Sequence, residues 1–253
     1  MELLLALPVG HTAPPTRYGL ISAHMAYRIG NGPVLLGIRL PDDLQGGVMY
    51  LDSVDFDGQG DPLPCCSQIL GECQRRNYRG IICDFNRPPS GCLPQLLSVL
   101  DSSCAREGWS LYVTEVCAQY APAARVLISS AVTNGTLERR LRSAKERYGG
   151  ARPVLAAEWL REDVKLPSDK RGEAISQLAL ENLKRQLEPA IFFDRGLCAH
   201  YFTYRDPKGQ AHFVLFDTSR SIRAKIALAQ RMELPAVLFA EPELEHRWEE
   251  IFG

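Results

Sequence analysis

Short apolar runs recur about eight times along this chain, and most are followed by a stretch in which apolar residues fall at helical spacing. The runs lie at residues 3–7, 34–39, 48–51, 80–84, 110–115, 125–130, 153–158 and 236–240. They are continuous rather than alternating, as in Gly80-Ile81-Ile82-Cys83, which is the pattern of strands buried on both faces of a parallel sheet. In the intervening stretch 65–78, Cys66, Ile69, Leu70 and Cys73 share one helical face. Leu97, Leu100 and Cys104 do so within 94–106, and Leu137, Leu141, Ala144 and Tyr148 within 136–148, which stops at Gly149-Gly150. Residues 173–188 and 221–232 read as helices too, the second with Thr218 or Ser219 as its cap. Strand–helix alternation of this kind defines an α/β fold. Eight strands in 253 residues predict closure into a single (β/α)8 TIM-like barrel, with an open doubly wound sheet as the alternative.

Two segments interrupt the alternation. Residues 12–31 carry Pro14-Pro15 and Gly30-Asn31-Gly32 and read as irregular. Residues 198–217 read as an inserted β-hairpin, 199–204 and 211–216 around the turn Asp206-Pro207-Lys208-Gly209. No linker-like stretch divides the chain, so residues 1–253 are expected to form one barrel domain.

Composition narrows the function classes. A formal net charge of −1 argues against a nucleic-acid binder, which needs a basic face to neutralise phosphates. No stretch approaches the ~18 apolar residues of a membrane span, so no membrane partner is expected. The start Met1-Glu2-Leu3-Leu4-Leu5 lacks the positive charge of a secretory leader. The eight cysteines sit in apolar surroundings with no CxxC pair, which predicts reduced, buried thiols and a cytoplasmic location. Gly30-Asn31-Gly32 and Gly58-Gln59-Gly60 lack the context of a dinucleotide loop, and no histidine cluster has zinc spacing, so neither cofactor nor metal is expected. His200 and His212 are expected to face each other on the hairpin. The basic run 138–147 reads as the solvated face of an outer helix.

In a barrel, chemistry sits at the C-terminal strand ends. There the sequence places Asp52, Asp55, Asp84, Asn86, Glu115, Glu158 and Glu241, with Phe85 and Trp159 beside them. Converging carboxylates can serve as acid, base or nucleophile at a sugar, and aromatic faces can stack on its ring. The plainer reading of each carboxylate is a cap on the following helix.

The segment from Tyr78 to Pro88 resembles the fourth strand of glycoside hydrolase family 18, the chitinase-like barrels. Asp84 matches the last aspartate of that family's motif, Phe85 its aromatic and Pro88 its proline. Ile82 and Gly80 stand where earlier aspartates would be, and Asn86 stands at the catalytic glutamate. The stretch 212–225 is also similar to the family, especially its short spore-cortex type, which has an acidic residue, a serine and a lysine before the last barrel helix. The tryptophan of the family's last strand and the tyrosine motif of its sixth are absent.

The resemblance implies a mechanism in which the glutamate protonates the glycosidic oxygen while the substrate's acetamide attacks, steered by the preceding aspartate. Asn86 has no proton to give, and loss of a general acid typically costs about 10²–10⁴ in rate. The expectation is a barrel that binds an N-acetylated glycan, through Asp84, Asn86 and Glu115 at the reacting centre and Asp52, Asp55, Phe85, Glu158, Trp159 and Glu241 around it, with little or no hydrolysis. The alternatives are an active hydrolase using Glu115 or Glu158, and a non-catalytic interaction scaffold.

Overall fold

The computed structural model describes residues 1–253 apart from 12, 14, 39, 42–43, 133–134, 168–170, 241–243 and 245–246. Among the described residues the core is a closed ring of eight parallel strands: β1 (Glu2–Pro8), β2 (Leu20–Gly30), β4 (Val48–Asp52), β5 (Gly80–Cys83), β6 (Ser110–Thr114), β7 (Arg125–Ser129), β8 (Pro153–Ala156) and β14 (Ala236–Ala240). The ring closes because β1 pairs with β14 on one side and with β2 on the other. The α/β barrel read from the apolar runs is therefore the fold.

One ring strand differs from the expectation. The second strand is β2, inside the stretch 12–31 that reads as irregular, whereas β3 (Val34–Gly37) lies outside the ring, antiparallel to β2. Gly30-Asn31-Gly32 begins the tight turn between them. A register shift between His24 and Tyr27 breaks the strand's inside–outside alternation, so its pattern is hard to read.

The outer helices follow their apolar stripes. Helix α1 (Pro62–Arg75) starts at Asp61, whose side chain accepts from the Leu63 amide. It buries Cys65, Cys66, Ile69 and Cys73 against α2 (Leu93–Glu107). Helix α3 (Leu137–Tyr148) is capped by Thr136 and packs Leu137, Leu141 and Ala144 on β7 and β8.

A second sheet interrupts the ring between β8 and the last ring helix. It runs β10 (Glu173–Ala174), β9 (Arg161–Leu166), β13 (Ala211–Phe216), β12 (Ala199–Arg205), β11 (Phe192–Asp194), all antiparallel. The hairpin at 198–217 is its centre, but the sheet begins at Arg161. Residues 173–174, expected to open a helix, are strand; the helix α4 (Gln177–Leu187) starts after its Ser176 cap. Leu180 of α4 packs on Phe202, Val214 and Phe216. Helix α5 (Ser219–Arg231) opens on a capping box of Thr218 and Ser221 and leads into β14, and α6 (Trp248–Phe252) packs on α5.

The two hairpin histidines do not face each other. His200 is opposite Phe216 and His212 opposite Tyr204, at the two ends of the pair. All eight cysteines are free and buried.

Candidate functional site

Inward residues fill the barrel: Leu4, Ala23, Ile82, Tyr112, Leu127 and Val154 form one buried cluster. The floor is closed by Glu2, which accepts from the Tyr112 hydroxyl at 3.0 Å and from Arg125 at 2.9 Å. Residues two apart share a strand face. The next inward positions above Tyr50, Ile82, Tyr112, Leu127 and Ala156 are therefore Asp52, Asp84, Thr114, Ser129 and Glu158.

Asp84 is half-buried and accepts a hydrogen bond from the Tyr50 hydroxyl, Oη to Oδ2 at 2.7 Å. Burial, then the charges of Asp84 and Asp52, push Tyr50 far above the usual phenol range, so it remains a donor. The Thr114 hydroxyl donates to the Phe85 carbonyl at 2.5 Å and so fixes the chain between Asp84 and the exposed Asn86. Asp52 accepts from the Val54 amide at 3.2 Å, a turn-capping role.

Glu158 rises from the next wall but two. Its carboxylate accepts from the Ser129 hydroxyl and, at 2.9 Å, from Arg171, which also pairs with Glu162. Its backbone is held as firmly: the amide donates to Ser130 Oγ at 3.0 Å and the carbonyl accepts from Lys225 Nζ at 2.8 Å. Lys225 and Asp217 are both fully buried and pair at 2.5 Å. The same Asp217 oxygen accepts from the Leu160 amide at 2.8 Å. Ser221 Oγ accepts from the Thr218 amide at 3.2 Å and lies 3.2 Å from His200 Nδ1. The acid, serine and lysine at 217, 221 and 225 thus join three elements: the end of β8, the second sheet and α5. Their spacing was visible in the sequence; the buried ion pair was not.

Several expected site residues lie elsewhere. Glu115 points out of the ring and pairs with Arg140 of α3, so it does not join Asp84. Phe85 is 1% exposed and packs in the outer core with α1 and α2, offering no face to a ligand. Trp159 is buried in the outer core near α3 and α5, with the Arg247 guanidinium 5.1 Å from its ring centroid. The physical reason is common to all three: each is one residue away from an inward position, and one step along an extended chain changes the face. Asp55 is exposed and pairs with Arg28 at 3.1 Å. Glu241 lies outside the described residues. Among the described residues, no group of three or more His, Cys, Asp or Glu side chains is placed to hold a metal ion. None of their helices is long and apolar enough to cross a membrane.

No protein-family model and no curated protein sequence matches the chain. Solved structures do. The spore cortex-lytic enzyme SleL of Bacillus megaterium QM B1551 is 16% identical, with a TM-score of 0.63 over 100% of this chain and 74% of that one. A chitinase from Chromobacterium violaceum ATCC 12472 is 17% identical, with a TM-score of 0.67 over 99% and 98%. A mutant class V chitinase from Nicotiana tobaccum, in complex with NAG4, is 8% identical, with a TM-score of 0.65 over 99% and 96%. The chain therefore has the fold of the chitinase-like barrels of glycoside hydrolase family 18.

Proposed function

We propose that the barrel mouth binds an N-acetylated glycan and hydrolyses it little or not at all. The observation that carries this reading is the Asp84–Tyr50 pair, with Asn86 two residues beyond it. Asp84 and Tyr50 supply an acceptor and a hydroxyl at the mouth, fit to hold an acetamide. The carboxamide of Asn86 can accept and donate hydrogen bonds to a sugar but cannot deliver a proton at neutral pH. The NAG4 complex of the tobacco chitinase, on the same fold, supports an oligosaccharide as the ligand class. Glu158 is a poor replacement acid, because both its oxygens are engaged, one by Ser129 and one by Arg171. Glu115 is on the wrong side of the wall. The eight buried thiols fit a reducing, cytoplasmic setting.

The test is binding and turnover of N-acetylglucosamine oligomers carrying a chromogenic aglycone, by wild type, Asp84→Ala, Asn86→Glu and Glu158→Gln. Wild type is expected to bind without appreciable turnover, and Asp84→Ala to lose binding. Asn86→Glu is expected to gain rate, by up to about 10²–10⁴ if proton transfer limits turnover. Brisk wild-type hydrolysis abolished by Glu158→Gln would replace this reading with an active enzyme. Absence of binding in every chain would remove the glycan altogether.

A further inference from the structure

On α3, Arg139, Ser143 and Arg147 recur every four residues and so stack on one helix face. With Arg140, Glu115 and Tyr148 they line a groove of about 520 Å3, whose far wall is Ala131, Val132 and Gly135 in the connection after β7. The groove is on the outer side of the ring, where Glu115 points, and not at the mouth that holds Asp84.

A basic helix is usually a solvated face whose charges are paired or spread. Part of α3 fits that description: Arg142 pairs with Glu138, and Lys145 donates to the Met232 carbonyl. The groove does not. Arg140 is paired with Glu115, but Arg139 and Arg147 make no ion pair among the described residues. Three guanidiniums against one carboxylate leave two positive charges facing a concave surface. Arg147 is held over the Tyr148 ring, 5.2 Å from its centroid. A further donor, Arg140 Nε, is buried there with no hydrogen-bond partner, and the Tyr148 hydroxyl lies beside Glu115. Glu115 apart, the charged and hydroxyl groups of the lining are all able to donate. Guanidinium forks match multi-oxygen anions best. A phosphate monoester, with a charge of about −1.5 to −2 near neutral pH, matches the excess of two.

We propose that this groove binds the phosphoryl group of a phosphorylated ligand, at a site separate from the barrel mouth. The phosphoryl group can come from a small sugar phosphate or from a phosphodiester polymer laid along α3. Arg139 and Arg147 are eight residues apart, about 12 Å along the axis, so a group seated over Ser143 lies between them.

Calorimetric titration of the full chain at low salt tests this, with four probes: inorganic phosphate, N-acetylglucosamine 6-phosphate, poly(glycerol phosphate) and unphosphorylated N-acetylglucosamine. The first three are expected to bind saturably. Arg139→Gln/Arg147→Gln is expected to weaken them tenfold or more, with the thermal midpoint unchanged because both side chains are exposed. Arg142→Gln, on the same helix but outside the groove, is expected to leave binding intact. A sugar phosphate that binds more tightly than inorganic phosphate or the polymer identifies a small ligand, and a tighter polymer identifies the chain; both support the site. Equal loss in Arg142→Gln would reduce the effect to bulk charge and overturn the proposal. So would retention of phosphate binding in the double variant, or no saturable phosphate binding by wild type. Any binding of oligomeric N-acetylglucosamine at the mouth is read separately, through Asp84→Ala.

Discussion

Asp217 and Lys225 show how a single buried pair can set the position of a site. Neither side chain reaches solvent, and between them they hold the Glu158 carbonyl and the Leu160 amide. Removing one partner leaves a buried, unpaired charge, which typically costs about 3–5 kcal/mol. Lys225→Met is therefore expected to lower the urea midpoint strongly, and Asp217→Leu likewise. The double variant is expected to lose clearly less than the sum of the two, because no lone charge remains; the backbone groups still lose their partners, so it does not return to wild type. Strict additivity across the four chains would show that the pair is not coupled. Side-chain direction also separates what the sequence discloses from what it hides. Asp84 and Glu158 were legible because they end strands on inward positions. Glu115 and Phe85 were misplaced by one position each. In a parallel barrel both strand faces are apolar, so Ile81-Ile82-Cys83 carries no alternation from which to read the inward side.

Glycine spacing matters at the scale of the elements. Most helices were legible from their stripes, and seven of the ring strands from their apolar runs. Strand β2 was not, because Ser22, His24 and Arg28 dilute its apolar character and the shift between His24 and Tyr27 spoils its period. The second sheet was legible only as a hairpin, since β9 carries the charged Arg161-Glu162-Asp163 at its start. Two glycines in well-formed elements make opposite predictions. Gly71 is exposed inside α1, and a Cβ there would meet nothing within 4 Å. Gly71→Ala is expected to raise stability by about 1 kcal/mol, the difference in helix propensity. Gly80 opens β5, and its Cβ would lie 2.5 Å from the Ser110 carbonyl oxygen of β6. Gly80→Ala must push two paired strands apart and is expected to cost about 1–3 kcal/mol, as overpacking does. Thermal unfolding of the two variants checks both signs. A Gly80→Ala chain as stable as wild type would mean that β5 and β6 are not held in the observed register.

Closure governs the molecule as a whole. Because β1 pairs with both β14 and β2, the described ring has no free edge from which to fray. Over part of its outside the core is covered by α1 and α2. Six cysteines lie in that covered layer: Cys65, Cys66 and Cys73 on α1, Cys83 on β5, Cys104 on α2, and Cys117 after β6. Burial raises their thiols, Cys65 to about 11 and Cys66 and Cys104 to about 12, and Cys83 well above the usual range. The thiolate is the reactive form, so at pH 8 both access and ionisation oppose modification. Exposing these groups requires opening the packed layer, and in a closed ring that opening approaches global unfolding in cost. Reaction with a disulfide reagent at pH 8 is therefore expected to be slow for the native chain. Cys92, at 9% exposure on the turn into α2, is expected to react first. In guanidinium without reductant all eight are expected to react at once, since all eight are free. Raising the pH from 8 to 9 is expected to speed the denatured chain only about threefold, because its thiols cross their ordinary pKa of about 8.5 there. A native thiol held well above that range gains about tenfold, from a far lower rate. Several thiols reacting natively at the rate of free cysteine would contradict the packing of the helical layer, and fewer than eight in guanidinium would reveal disulfides.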